Sequence, residues 1–257
     1  MHGREPPLQR VAAPPPLNTQ RHALFLDLDG TFLRLDRIAC SIPERDAIRL
    51  LLKRLSVQMK GAIAVLTGHS VRDAERVLDG CAACVCGTHG AEYAIRGSPP
   101  RLAQRTLQVE AAALKVTQWI ALGALEAHIE NQGGAFELHL PPSPDGIARA
   151  RKCIDAIART YGLRVMRSDT VLKVVPEGLT KGGALSYLMH RPGFTARIPI
   201  VLCDTRRDDG AFAAAQKLGG VGVRIGRPAG RASDATLALP DLTSAIMWMA
   251  NGMRAAA

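Results

Sequence analysis

Asp27-Leu28-Asp29-Gly30-Thr31 follows directly on the apolar run Ala23-Leu24-Phe25-Leu26. The run predicts a buried strand over 23–28, with two carboxylates at its end. Residues two apart on a strand project to the same side, and Gly30 lets the chain turn away at once. Two carboxylates held close repel each other unless a cation or a proton intervenes. A solvated acidic turn would satisfy this pattern. So would a divalent-metal site in which one aspartate attacks phosphorus and the other handles protons, because aspartate is a known covalent nucleophile in phosphoryl transfer.

Working outward, short apolar runs alternate with amphipathic stretches. A helix from about 43 to 57, a strand at 62–66, a helix at 70–78 and a strand at 82–86 give a βαβαβ order, hence a parallel sheet covered by helices. Gly97-Ser98-Pro99-Pro100 breaks that rhythm. A helix near 102–124, two short strands around Gln132-Gly133-Gly134, a helix near 145–161 and two strands around Ser168-Asp169 describe a duplicated α-β-β unit. After Pro176 the first rhythm returns, with a helix at 181–189, a strand at 199–203, a helix near 209–218, a strand at 221–225 and a final helix near 241–252. The expected fold class is therefore α/β, a Rossmann-like parallel sheet core (21–97 and 177–257) interrupted by a smaller α+β cap domain (98–176). Pro6-Pro7 and Pro14-Pro15-Pro16 make residues 1–20 an expected disordered arm.

Composition narrows the function classes. The chain has 257 residues, 47% of them apolar and 4% aromatic, which suits a globular core of Leu, Val, Ala and Ile. No run approaches the roughly 18 apolar residues of a membrane span, and the start lacks the apolar segment of a secretory signal. Six scattered cysteines fit a reducing compartment, so a cytoplasmic protein is expected. Cys81, Cys84, Cys86 and His89 have loose metal-ligand spacing, but Val85-Cys86 reads as a strand end. The formal charge of +10 comes from basic residues spread along the chain with few aromatics for stacking. An anionic small molecule explains that excess as well as a nucleic acid does, and neither a nucleic-acid nor a membrane partner is expected. Oligomeric state is left open.

In an open parallel sheet, ligands bind beyond the carboxyl ends of the strands. There the chain carries Asp27-x-Asp29, Thr67-Gly68-His69-Ser70, and Asp204-Thr205-Arg206-Arg207-Asp208, while Thr180-Lys181-Gly182-Gly183 opens a helix. Thr67 offers a hydroxyl, and the helix start behind it favours an anion. Lys181 offers a point charge to phosphoryl oxygens. Asp204 and Asp208 can join Asp27 around Mg²⁺, which prefers hard oxygen ligands.

The order Asp27-x-Asp29-Gly30-Thr31, Thr67-Gly68, Lys181 and Asp204 with Asp208 resembles the four motifs of the haloacid dehalogenase superfamily, with an insertion where its C2-type cap lies. Gly87-Thr88-His89-Gly90-Ala91-Glu92 is similar to the G-x-H-G-A-E segment of trehalose-6-phosphate phosphatases. Leu202-Cys203-Asp204, Ala211-Phe212, Gly219-Gly220-Val221 and Val223-Arg224-Ile225-Gly226 resemble the C-terminal pattern of the same family. The resemblance implies a Mg²⁺-dependent hydrolase of trehalose biosynthesis that cleaves trehalose 6-phosphate through an aspartyl-phosphate. Asp27 would be the nucleophile and Asp29 the acid and base. Thr67 and Lys181 would hold phosphoryl oxygens, and Asp27, Asp29, Asp204 and Asp208 the metal. Thr67, Gly68, His89, Glu130, His139 and Lys173 would face the substrate.

The resemblance also has departures. Thr205 and Arg207 stand where the motif-four pattern differs, and one carboxylate near the metal is missing. The cap pattern Glu-x-Lys followed by His-Tyr-Arg reads here Glu130-Asn131-Gln132 and His139-Leu140-Pro141, and Lys173 replaces a usual glutamate. These changes admit a phosphatase for another sugar phosphate or phosphoglycosyl compound, or a non-catalytic sugar-phosphate sensor.

Overall fold

A computed structural model describes residues 12–28, 42–96, 98–102, 107–204, 209–226 and 234–255. Asp29 and Asp208, with Gly30, Thr31, Thr205 and Arg207, lie outside the described residues.

The first elements are β1 (His22–Asp27), α1 (Ile42–Gln58), β2 (Ile63–Leu66), α2 (Val71–Leu78), β3 (Cys84–Gly87), β4 (Glu92–Ile95) and β5 (Arg101–Leu102). An inserted stretch follows with α3 (Leu107–Ala121), β6 (His128–Asn131), β7 (Phe136–His139), α4 (Pro144–Tyr161), β8 (Leu163–Arg167) and β9 (Val171–Pro176). The chain ends with α5 (Lys181–Met189), β10 (Ile198–Cys203), α6 (Asp209–Lys217), β11 (Val221–Ile225), β12 (Leu237–Leu239) and α7 (Leu242–Arg254). One sheet has the strand order β12-β11-β10-β1-β2-β3-β4-β5 and a second the order β6-β7-β9-β8. The pairs β12-β11, β11-β10, β10-β1 and β2-β3 are parallel, whereas β4 and β5 add antiparallel.

The chain divides into two compact units, Met1–Ile63 with Leu185–Ala257, and Ala64–Ala184. In the first, Leu24, Phe25 and Leu26 of β1 and Ile200, Val201 and Leu202 of β10 are all buried. Parallel strands covered on both faces read as unbroken apolar runs, which is why the sequence reveals them. Residues 12–20 correct the expectation of a disordered arm. Ala12 bridges to Leu237, the Trp248 indole N–H donates to Pro15 O at 2.9 Å, and Leu17 is buried. Leu17 packs so tightly on α7 that a Cβ built on Gly252 would fall 2.5 Å from its own Cβ. Prolines removed the periodic signal there without removing the packing.

In the second unit, α3 and α4 cover one face of the four-stranded sheet. Val109, Val116, Ile154 and Ile157 pack on Phe136, Leu138, Leu172 and Val174. Alternation along β7 sends Phe136 and Leu138 inward and leaves Glu137 and His139 on the open face. Ser143 caps α4, accepting from Gly146 N, and Gly162 ends it in the left-handed conformation. The strands β4, β5 and β12 were not expected. They are two to four residues long, too short to show a period. The helix expected from about 102 begins at Leu107, because Arg101–Leu102 pairs with β4 instead.

Candidate functional site

In the first unit the parallel register pairs Leu26 with Leu202. Asp27 therefore stands beside Cys203, with Asp204 one residue further on at the same end of the neighbouring strand. Asp27 is fully buried and Asp204 is half-buried. An ionised carboxylate out of water costs several kcal/mol unless a positive partner compensates it. The two carboxylates offer hard oxygen donors, the kind that Mg²⁺ prefers.

In the second unit the loop after β2 is fixed from several sides. Thr67 is fully buried. Its N–H donates to Cys86 O at 2.9 Å, its carbonyl accepts from His89 N at 3.0 Å, and its hydroxyl oxygen accepts from His69 N at 3.1 Å. His69 O accepts from Thr88 N at 2.7 Å. Thr88 and His89 have φ of 51° and 55°, and Gly90 follows at 100°. A β-branched residue in that region carries strain of about 1–3 kcal/mol and persists only when its surroundings over-determine it. Glu92 supplies part of that constraint, because its Oε1 accepts from Thr88 Oγ1 at 3.0 Å.

Glu92 also changes the reading of α2. Its Oε2 accepts from Val71 N at 3.0 Å, and Ser70 Oγ accepts from Asp73 N at 3.1 Å. The start of α2, expected to favour an external anion, is thus served by a buried carboxylate of the chain itself. Sequence reasoning noted Glu92 only as part of a segment likeness and missed this role.

The same loop meets the start of α5. A Cβ on Gly90 would lie 3.1 Å from Thr180 O and 3.0 Å from the Ala184 Cβ. Thr180 Oγ1 accepts from Gly183 N at 3.0 Å, which caps α5 and sets Lys181 in its first turn. Thr67, Gly68, His89 and Lys181 are thereby brought to one loop cluster.

The open face of the inserted sheet carries the remaining expected residues. His128 pairs with His139 and Glu130 with Glu137 across β6-β7, while Lys173 faces Glu137 across β7-β9. Glu130 Oε2 lies 3.7 Å from His139 Nε2. Lys173 is not on a solvated strand face, since its side chain is only 11% exposed. Its ammonium donates to Glu137 Oε1 and Gln132 Oε1 at 2.8 Å each and to Gly68 O at 2.6 Å. Glu130, Glu137 and His139 bring ligand atoms within 4.8 Å of one another. The Lys173 ammonium, however, already occupies the Glu137 carboxylate, so one of the three ligand groups is engaged by a cation of the chain itself.

Burial pushes the Glu137 carboxyl up, but the hydrogen bond and charge of Lys173, helped by Gln132 and His139, outweigh it and hold the group below its ordinary 4.5. A depressed carboxylate stabilises the fold above its unfolded value and loses that contribution as pH falls through its folded one. Wild type is therefore expected to melt above Glu137→Gln at pH 7, with the gap closing as pH drops below about 4.5. Thermal melts of both proteins across pH 3–7 check this, and a gap that ignores pH would contradict it.

Cys84 and Cys86 do not read as metal ligands. The Cys86 thiol donates to the Cys84 sulfur, and this bond together with burial holds it well above its usual range, which disfavours the thiolate a metal needs. Among the described residues the cysteines form no ligand group with His89.

The sequence model of the trehalose-phosphatase family matches residues 25–242. The trehalose-6-phosphate phosphatase of Escherichia coli (strain K12) is 27% identical over 231 residues, 87% of this chain and 85% of that protein. A probable trehalose-phosphate phosphatase of Sinorhizobium fredii is 27% identical over 220 residues, 85% of this chain and 82% of that one. Among solved structures, the C-terminal domain of the C. albicans trehalose-6-phosphate phosphatase superposes with a TM-score of 0.65 at 18% identity, covering 92% of this chain and 93% of that domain.

Proposed function

The chain belongs to the trehalose-phosphatase family, phosphoric monoester hydrolases of trehalose biosynthesis, and from that membership we propose a Mg²⁺-dependent hydrolysis of trehalose 6-phosphate through an aspartyl-phosphate. The observation that carries the mechanism is the fully buried Asp27 at the carboxyl end of β1, with Asp204 one residue beyond its neighbour in register.

In this reading an Asp27 carboxylate oxygen attacks phosphorus, and the bond from phosphorus to the sugar oxygen breaks. Asp29 gives its proton to the departing sugar oxygen. The same carboxylate then takes a proton from a water that attacks the aspartyl-phosphate, releasing phosphate and restoring Asp27. Thr67 and Lys181 hold the phosphoryl oxygens throughout, so that little reorganisation is left for the reaction itself. Asp27 and Asp204, with Asp29 and Asp208, would hold Mg²⁺, whose charge neutralises that of the phosphoryl group. We place the reaction in the cytoplasm, since scattered cysteines in a chain of this size suit a reducing compartment.

Glu130, His139 and His89 are assigned to the sugar. Gln132, Pro141 and Lys173 depart from the family pattern, and the engagement of Lys173 with Glu137 favours a second reading, a phosphatase for another sugar phosphate. A panel separates the two. Phosphate release with Mg²⁺ is measured on trehalose 6-phosphate, glucose 6-phosphate, sucrose 6-phosphate and glucosylglycerol phosphate. The first ester is expected to turn over at least about tenfold faster than the others, because a site built on hydrogen bonds rejects a ligand that leaves them unmade. Preference for another ester would keep the chemistry and move the substrate.

A further inference from the structure

We propose that Lys173 is a positioning residue that fixes the phosphate-holding Thr67 through a single peptide plane; this rests on the role given to Thr67 above. An ammonium has three N–H donors and no acceptor. Those of Lys173 meet three acceptors, Glu137 Oε1, Gln132 Oε1 and Gly68 O, at 2.8, 2.8 and 2.6 Å. With its donors committed and its side chain 11% exposed, Lys173 is a fixed strut rather than a group waiting for a sugar hydroxyl.

The strut acts on a defined element. Gly68 C=O and His69 N–H belong to one planar trans peptide and point in opposite directions. Lys173 holds the carbonyl end, and the N–H end donates to Thr67 Oγ1 at 3.1 Å. That bond uses the hydroxyl oxygen as an acceptor and so orients its O–H donor. The flanking carbonyls are tied as well, Thr67 O by His89 N and His69 O by Thr88 N. Gly68 O is the member of this set held by a side chain, across 105 residues of sequence. Charge-assisted bonds of this kind are roughly twice as strong as neutral ones, so loss of the ammonium releases the plane.

The test compares wild type with Lys173→Met and, as a milder change that keeps the ammonium but weakens its anchor, Glu137→Gln. Three quantities are read: affinity for inorganic phosphate by calorimetry, turnover of the sugar phosphate and of p-nitrophenyl phosphate, and backbone hydrogen exchange. Lys173→Met is expected to weaken phosphate binding about tenfold, as for loss of one charged hydrogen bond. It should lower kcat for both esters and speed exchange at Thr67–His69 while leaving β10 protected. Glu137→Gln should shift the same quantities in the same direction by less. A rise in KM for the sugar phosphate alone, with wild-type phosphate affinity and wild-type exchange at His69, would overturn the proposal and make Lys173 a sugar contact. If wild type cleaved neither ester, the proposed function would fail, yet phosphate affinity and exchange would still decide the role of Lys173.

Discussion

Asp27→Asn is expected to lower phosphate release by about 10⁴-fold or more, the scale seen when a covalent nucleophile is removed, while the protein folds as before. A carboxamide keeps the shape of the carboxyl group but cannot attack phosphorus. Asparagine also fills the volume of the fully buried carboxyl group, so the packing around it is kept. The melting temperature should therefore stay close to that of wild type as activity disappears. Phosphate release and a thermal melt on the same preparation check both halves. Residual activity above about one hundredth of wild type would mean that another group carries the attack.

The second large effect lies in packing rather than chemistry. Gly87 ends β3 with ordinary extended backbone angles, so its need for glycine is one of space. A Cβ there would stand 2.5 Å from Val71 N, 2.9 Å from His69 O and 3.0 Å from Ser70 C. All three are backbone atoms and cannot swing aside. Gly87→Ala must push the start of α2 away, which strains the bonds from Val71 N to Glu92 and from Thr88 N to His69 O. Overpacking of this kind costs about 1–3 kcal/mol, and a buried donor left unsatisfied adds a comparable amount. Chemical denaturation should show the loss in the midpoint. Turnover measured well below that midpoint should fall too, because the same loop orients Thr67. Wild-type stability in Gly87→Ala would contradict the contact geometry.

What the sequence made legible follows from what kind of signal each feature leaves. Strands β1, β2 and β10 are apolar on both faces and stand out as continuous runs, and the polar groups at their ends mark themselves by interrupting those runs. Asp27, Thr67 and Asp204 were placed at their strand ends in this way. The helix opening at Lys181 was visible from its glycines and from the threonine before it. Long-range polar ties leave no such trace. The bond from Lys173 to Gly68 joins residues 105 apart, and only the fold shows that a lysine on a sheet strand reaches a turn carbonyl. Positive φ at Thr88 is invisible for the opposite reason, since a β-branched residue argues against that conformation until Glu92 and His69 are seen to enforce it. The tail around Leu17 was misread because prolines suppress periodicity, although an irregular segment can still bury a leucine against α7.

The covalent step is the claim on which the rest depends. Turnover of trehalose 6-phosphate with Mg²⁺ should be quenched in acid within its first cycle and the protein digested for peptide mass analysis. A phosphoryl group on the peptide that contains Asp27, absent when the same experiment is run on Asp27→Asn, is the predicted result. Rapid turnover with no phosphoryl group on that peptide at any quench time would contradict it and transfer the attack on phosphorus from Asp27 to water.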